Sequence, residues 1–153
     1  MSDVFNTLFE LSLRILLILK TVGNRNITSD MIAAVDFISV YARDFGISDV
    51  NLHGDNNFKF SEFAVRRDNV NKAVKQLVLS GLVTVAVRQS GFTYSITETG
   101  SAYCSRFENE YAVSYRVLVQ RTWELVSQMP ERAAIELINE HSISSVKRGE
   151  MDG

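Results

Sequence analysis

The sequence predicts a mainly α-helical fold with a small β-hairpin wing, that is, a winged helix-turn-helix extended by long N- and C-terminal helices. Three observations predict this fold: apolar residues at helical spacing along most of the chain, one hairpin pattern near its middle, and a single proline. A length of 153 residues suits one domain with a substantial core. We expect a winged-helix domain with its long terminal helix over 1–128, a short helix over 129–140 and a disordered tail over 141–153.

Two strongly apolar helices are predicted ahead of the winged segment. The first covers about 7–22 and the second about 29–44, each opened by a Ser, Thr or Asn N-cap, and Gly46 ends the second. Apolar residues occupy more than one face of both helices, so we expect both to be central and buried. Asp30, Asp36 and Asp44 are interpreted as solvent-facing or capping groups of the second helix.

The winged segment is predicted over 59–100. A short helix over 61–67 and a second helix over 68–80 form its helix-turn-helix, and Gly81 closes the second helix in a left-handed conformation. The outward face of this second helix carries polar side chains, which would contact a partner if the helix is the recognition helix. The order of helix, helix and hairpin is typical of nucleic-acid-binding and protein-docking modules, and it is not typical of an enzyme.

The hairpin consists of strands over 83–88 and 92–96 around a Gln-Ser-Gly turn. Thr97 is the predicted N-cap of the next helix, and Gly100 in the first turn of that helix is expected to permit close packing. That helix is predicted to continue without a break over 98–128. A further helix begins after Pro130.

The predicted long helix carries more apolar surface than one small domain would cover. Its apolar residues span well over a third of the circumference, which favours packing against a second chain or a second layer of the same chain. A homodimer is one form of that arrangement. The candidate partner-interface residues on helices are Leu79, Tyr111, Tyr115 and Trp123.

Charge is unevenly distributed along the chain. The net charge is −2, whereas 59–88 holds six bases and two acids, a sum of +4, which leaves −6 for the remainder. A basic segment on an acidic body fits contact with phosphate, and it equally fits a solvated helix face. The exposed position predicted for Leu79 favours a protein partner. The candidate DNA-contacting residues are Arg66, Arg67, Asn71, Lys72, Lys75, Gln76 and Arg88.

A long irregular stretch over 46–60 contains His53, Asp55 and Asn57. These residues lack the second histidine or cysteine of a metal site, so we interpret them as loop residues held by local hydrogen bonds and as candidate partner contacts. The sequence contains no nucleophile with a paired base, no phosphate-binding glycine loop and no zinc spacing, so we expect neither an enzyme nor a cofactor.

The expected location is the cytoplasm. The apolar N-terminal segment is interrupted by charges and is too short to cross a bilayer, so no membrane association is expected. The single cysteine, Cys104, excludes an internal disulfide and is expected to be a buried, inert thiol.

Several segments together resemble one protein family, over about residues 5–120. The segments are FNTLFELSLRIL at 5–16, VDFI at 35–38, DFGIS at 44–48, NLHGDNNFKFSEF at 51–63, and Arg66-Arg67. They resemble the winged-helix middle component of bacterial ABC three-component conflict systems, whose small subunits are similar in kind to that of Lamassu anti-phage and anti-plasmid defence.

The resemblance implies a non-enzymatic adaptor. Such a subunit would bridge an SMC-like or Rad50-like ABC ATPase and an effector, often a nuclease, and hold the effector silent until the ATPase senses foreign DNA. Double-stranded DNA is a further candidate partner. The family supplies no catalytic residues to carry over.

The alternative hypothesis is a dimeric transcriptional regulator of the PadR or MarR type. In such proteins a long terminal helix mediates pairing, and DNA binding would depend on Lys72 and Lys75 and weaken steeply with salt.

Overall fold

The computed structural model describes residues 7–52, 62–89 and 91–140. These residues are mainly helical and include one small antiparallel hairpin, as predicted. The elements are α1 (Leu8–Val22), α2 (Ser29–Val40), α3 (Glu62–Leu79), β1 (Val83–Arg88), β2 (Gly91–Ile96), α4 (Glu98–Cys104), α5 (Glu110–Val126) and α6 (131–140).

Helices α1 and α2 form the centre of the fold, as their apolar sequences predicted. The Thr7 hydroxyl accepts a hydrogen bond from the Glu10 N–H, and the Thr28 hydroxyl accepts one from the Met31 N–H, so each helix has a threonine N-cap. Ten of the twelve residues of α2 are buried. A helix buried on nearly all sides can support neighbours on every face, and this is the role of α2 here.

The predicted end of α2 at Asp44 is wrong. The helix stops at Val40, and the chain continues through tight turns in which the Asp44 N–H donates to the Tyr41 carbonyl. Gly46 closes these turns with φ of +72°, a conformation that side chains other than glycine rarely adopt. The prediction that Gly46 ends the helix is therefore also wrong, because this glycine ends the turns that follow α2.

The predicted helix-turn-helix within 61–80 is also wrong, because the two predicted helices are one continuous helix, α3. No glycine or proline interrupts Glu62–Leu79, so nothing in the sequence forces a turn there. Asp68, the predicted start of the second helix, lies inside α3. Its carboxylate instead pairs with Lys72 one turn later, at 2.9 Å on the exposed side of α3.

The hairpin confirms the predicted strands. β1 and β2 are antiparallel, with Val83 opposite Ile96 and Arg88 opposite Gly91. Gly81, with φ of +78°, ends the turn after α3 as predicted. The backbone of Ile27, in the segment between α1 and α2, exchanges hydrogen bonds with Tyr94 and so attaches β2 to the helical body.

The single long helix predicted over 98–128 is wrong, because the chain turns between α4 and α5. Asn109 has an extended backbone, and its side chain accepts a hydrogen bond from the Ala112 N–H, which begins a new helix. α5 therefore has 17 residues and a length of about 25 Å. The turn lets α4 pack on α1 while α5 packs on both α1 and α2.

The core lies between α1 and α2 and the helices around them. α3 and α5 each pack against both central helices. After Pro130, α6 begins as predicted and contributes buried Ala134 and Ile138 to the same core. Among the described helices none is both long and apolar enough to cross a membrane.

We predict that Gly100→Ala destabilises the fold. A Cβ atom at Gly100 would stand 2.1 Å from the Leu82 carbonyl oxygen and 2.9 Å from Ile96 Cγ1, so α4 would have to move away from the hairpin. The expected loss in the free energy of unfolding is about 1–3 kcal/mol, measured by urea denaturation. Thr99→Ala, at an exposed position of the same helix, is the control and should change it by less than about 0.5 kcal/mol. Equal stability of the two variants would contradict the close contact.

Candidate functional site

A buried ion cluster centred on Asp36 joins four helices. Asp36 lies on α2 and is completely buried. Arg14 of α1 donates from Nε to Oδ1 at 2.9 Å and from Nη2 to Oδ2 at 3.4 Å, and Arg66 of α3 donates from Nη1 to Oδ2 at 2.5 Å. The Tyr115 hydroxyl of α5 donates to Oδ1 at 2.5 Å. Each oxygen of one carboxylate thus accepts hydrogen bonds from two helices.

The charges of this cluster stabilise one another. Burial alone would raise the pKa of Asp36, but Arg14 and Arg66, together with the Tyr115 hydroxyl, hold that pKa well below its usual range. Burial alone would likewise lower the pKa of Arg14, yet the Asp36 carboxylate raises it overall. Glu62 Oε2 lies 4.0 Å from Arg66 Nη2 at the edge of the cluster, so two guanidinium groups face two carboxylates. The cluster is therefore ionised and close to neutral.

Three predictions fail at this cluster. Arg66 was predicted to contact DNA and Tyr115 a partner, yet both side chains are buried and bound to Asp36. Asp36 was predicted to face solvent or cap its helix. The sequence does contain a signal for this pairing: Arg14 and Asp36 each lie in the apolar interior of a helix, away from the charges near its ends, a pattern that indicates a buried ion pair.

Two of the remaining predicted DNA contacts have their positive charge paired with an acid of the same chain. Arg67 forms two hydrogen bonds to the Asp30 carboxylate, at 2.7 and 3.2 Å, and Lys72 pairs with Asp68. Asn71 is half-buried, whereas Gln76 is exposed. Lys75 and Arg88 are exposed and form no ion pair within the described ranges.

A first exposed apolar surface lies between the C-terminal half of α3 and the hairpin. Leu79 is 80% exposed, Val87 is 75% exposed and Phe92 is 59% exposed. We call the cavity between the helix and the hairpin the α3–hairpin groove. It has a volume of about 280 Å³, and it is lined by Lys75, Val78, Leu79, Val85, Phe92 and Tyr94. Leu79, a predicted interface residue, therefore lies on an exposed surface with other apolar residues.

A second exposed surface lies on α5 and is called the α5 surface. Val113 and Val117 are about half exposed and stand one turn apart on this helix. The surface is lined by Val113, Arg116, Val117, Gln120, Arg121 and Glu124.

The other predicted interface residues of α5 lie off this surface. Tyr111 is partly buried and stacks on Tyr115 with ring centroids 6.3 Å apart, and burial raises the pKa of Tyr111 to about 12. Trp123 is partly buried beneath the guanidinium group of Arg25, which lies 5.1 Å from the ring centroid. Both aromatic side chains are thus engaged within the chain.

Three predicted contacts, His53, Asp55 and Asn57, lie outside the described residues, as does the tail over 141–153. Within 7–52, 62–89 and 91–140, no group of three or more His, Cys, Asp or Glu side chains could hold a metal ion. Cys104 is buried, as predicted, and burial raises the pKa of its thiol, which disfavours the reactive thiolate.

Comparison with known proteins identifies a family. The family model for the ABC-three component system Middle Component 2 matches residues 4–148, which is nearly the whole chain. The chain therefore belongs to this family, and it is an accessory component of an ABC three-component system. Neither the curated proteins nor the solved structures provided a match.

We predict that Asp36→Asn strongly destabilises the protein, because it leaves Arg14 and Arg66 buried without their carboxylate. The expected loss in the free energy of unfolding is about 3–5 kcal/mol. Asp30→Asn is the matched control, since it removes the same charge from a half-exposed pair with Arg67 and should cost less than about 1 kcal/mol. Urea denaturation of both variants measures the difference. Equal losses would contradict the dominant role of the buried cluster.

The effect of Asp36→Asn should depend on pH. Because the folded-state pKa of Asp36 lies below its unfolded value of about 3.9, this carboxylate stabilises the fold above that pH and stabilises it less as the pH falls further. The difference in unfolding free energy between wild type and Asp36→Asn should be constant from about pH 5 to 7 and shrink below about pH 4. A difference that grows on acidification would contradict the assignment.

Proposed function

We propose that this chain is the non-enzymatic adaptor of its ABC three-component system. In this proposal it binds an SMC-like or Rad50-like ABC ATPase and an effector, often a nuclease, and holds the two together in an anti-phage or anti-plasmid defence complex. Membership of the middle-component family supports an accessory role beside other subunits. A bridging role further requires that the molecule has surfaces for two partners.

The observation that carries the proposal is the presence of two separate exposed apolar surfaces. The α3–hairpin groove lies on one helix that packs against α1 and α2, and the α5 surface lies on another. An adaptor needs two surfaces that can be occupied at the same time. The rigid core between them, held by the Asp36 cluster, would keep the two partners at a fixed separation.

We also propose that the body is a winged helix. Its support is the order of elements: α1, the short Ile27 bridge, α2, α3, and then the hairpin that pairs back to Ile27 through Tyr94. In this arrangement α3 would occupy the position of the recognition helix and the hairpin that of the wing.

Contact with double-stranded DNA is the finer part of the proposal. It would fall to the exposed candidates Lys72, Lys75, Gln76 and Arg88, since Arg66 and Arg67 are held by carboxylates of α2. Three of these polar side chains, Lys72, Lys75 and Gln76, lie on α3 with exposed Leu79, which favours a protein partner there.

We predict that Val117→Asp separates the two partners. A charge at the centre of the α5 surface should weaken binding of one subunit roughly tenfold or more, because a carboxylate replaces an apolar contact and must lose its hydration in the interface. Binding of the other subunit should be unchanged. The measurement is co-purification and titration of the chain with the ATPase and effector of its own system.

The control variant is Val50→Asp, at an exposed valine outside both surfaces, and it should bind both subunits normally. Reconstitution without the chain should leave ATPase and effector apart. The adaptor proposal fails if the ATPase and effector associate equally well without the chain. It also fails if the wild-type chain binds neither and forms an operator-binding homodimer.

A further inference from the structure

We infer that the α3–hairpin groove binds a short acidic segment with apolar side chains, supplied by a partner subunit. The inference rests on the proposed adaptor function and names the chemistry of one of its two partners. It follows from the face of the hairpin, the end of α3 and the charges beside them.

One face of the hairpin is entirely apolar. Directly opposed residues of antiparallel strands point to the same side, so the pairs Val83–Ile96, Val85–Tyr94 and Val87–Phe92 form a continuous apolar stripe. Val83 and Tyr94 are buried in the core at one end of this stripe. At the other end Val87 and Phe92 extend past the core and are exposed.

The last turn of α3 lies beside this stripe. Val78 and Leu79 form one wall of the groove, and Val85, Phe92 and Tyr94 form the other. Apart from the Lys75 amine and the Tyr94 hydroxyl, no polar side-chain group of the described residues lines it. A cluster of large apolar side chains left in water at one place indicates a docking site and not a solvated face.

The charges at the groove select an acidic partner. Lys75 forms part of the lining, whereas Arg88 follows Val87 at the end of β1 and so projects from the opposite face of the hairpin, outside the lining. Neither base is paired with an acid among the residues that the structure describes. Carboxylates flanking the apolar side chains of a partner segment would therefore complete the site.

Nucleic acid and a second copy of the chain fit this groove less well. DNA would place phosphates and wet base edges against Leu79, Val87 and Phe92, which offer no hydrogen bonds. A second copy could offer its α5 surface, but two of the three charged residues there, Arg116 and Arg121 beside Glu124, would repel Lys75. An acidic segment from another subunit avoids both conflicts.

The test uses the full chain in complex with the ATPase and effector of its system. Leu79→Asp and Val87→Asp place carboxylates at exposed positions, so both variants should fold and should lose one subunit by roughly tenfold or more. Val65→Asp is the matched control: an exposed valine on α3, four turns from Leu79 and outside the groove, where binding should be unchanged. If both groove variants bind as wild type in an intact complex, the inference is overturned while the adaptor proposal stands.

A second arm works on the isolated chain and does not require the complex. Displayed random 12-residue peptides are selected on wild-type protein and on Leu79→Asp. Selection of peptides that combine apolar and acidic residues on wild type, with loss on Leu79→Asp and on Lys75→Glu, supports the inference. Absence of such peptides, or selection that these variants do not change, overturns it.

Duplex DNA is the third arm. A labelled 30-base-pair duplex is titrated against wild type, Lys75→Glu and Val87→Asp. Any DNA binding by the wild type should persist in at least one of the two groove variants. Salt-sensitive DNA binding that both variants abolish would assign the groove to nucleic acid and overturn the inference.

Discussion

The structure depends on one buried carboxylate. Asp36 accepts hydrogen bonds from α1, α3 and α5 while it lies on α2, so a single side chain fixes the relative positions of four helices. A buried charge is costly unless its hydrogen bonds and counter-charges are complete, and this cluster approaches that condition. An exception is Arg66 Nε, which has no hydrogen-bond partner among the described residues. A shift of one helix relative to the others would therefore leave a buried charge without its partner.

This constraint also determines which residues are left for partners. The cluster takes Arg66 and Tyr115 from the surface, and the Asp30 carboxylate engages Arg67. Exposed apolar side chains remain at the groove between α3 and the hairpin and on α5, beside exposed polar residues such as Lys75 and Gln120. The internal ion pairs thus compensate part of the positive charge of a segment that is basic in sequence.

The elements and their caps could be predicted from local sequence because local physics decides them. Thr7, Thr28 and Thr97 are N-caps, Gly81 ends a turn, and the hairpin strands fall where alternation places them. Close packing at Gly100 is also predictable from the sequence, and the structure shows that the Leu82 carbonyl oxygen leaves no room there for a side chain.

Continuity between elements could not be predicted in the same way. The turn expected at Asp68 is absent: aspartate favours helix caps, but this local preference is weak, and the exposed Asp68 carboxylate pairs with Lys72 one turn later in the continuous helix. The break before Asn109 was missed, because apolar residues on both sides kept the helical period while tertiary packing decided where the chain turns. The Asp36 cluster needed partners 22 to 79 residues away in sequence, and periodicity carries no information on such pairs.

Hydrogen–deuterium exchange of the chain, free and in complex with both partner subunits, tests the central claim most directly. The account predicts slowed exchange in two segments, one spanning the end of α3 and the hairpin and one in α5, with each protected by a different subunit. Omission of either subunit should remove protection from one segment and leave the other unchanged. Protection of a single segment by both subunits, or of neither, would contradict a two-surface adaptor.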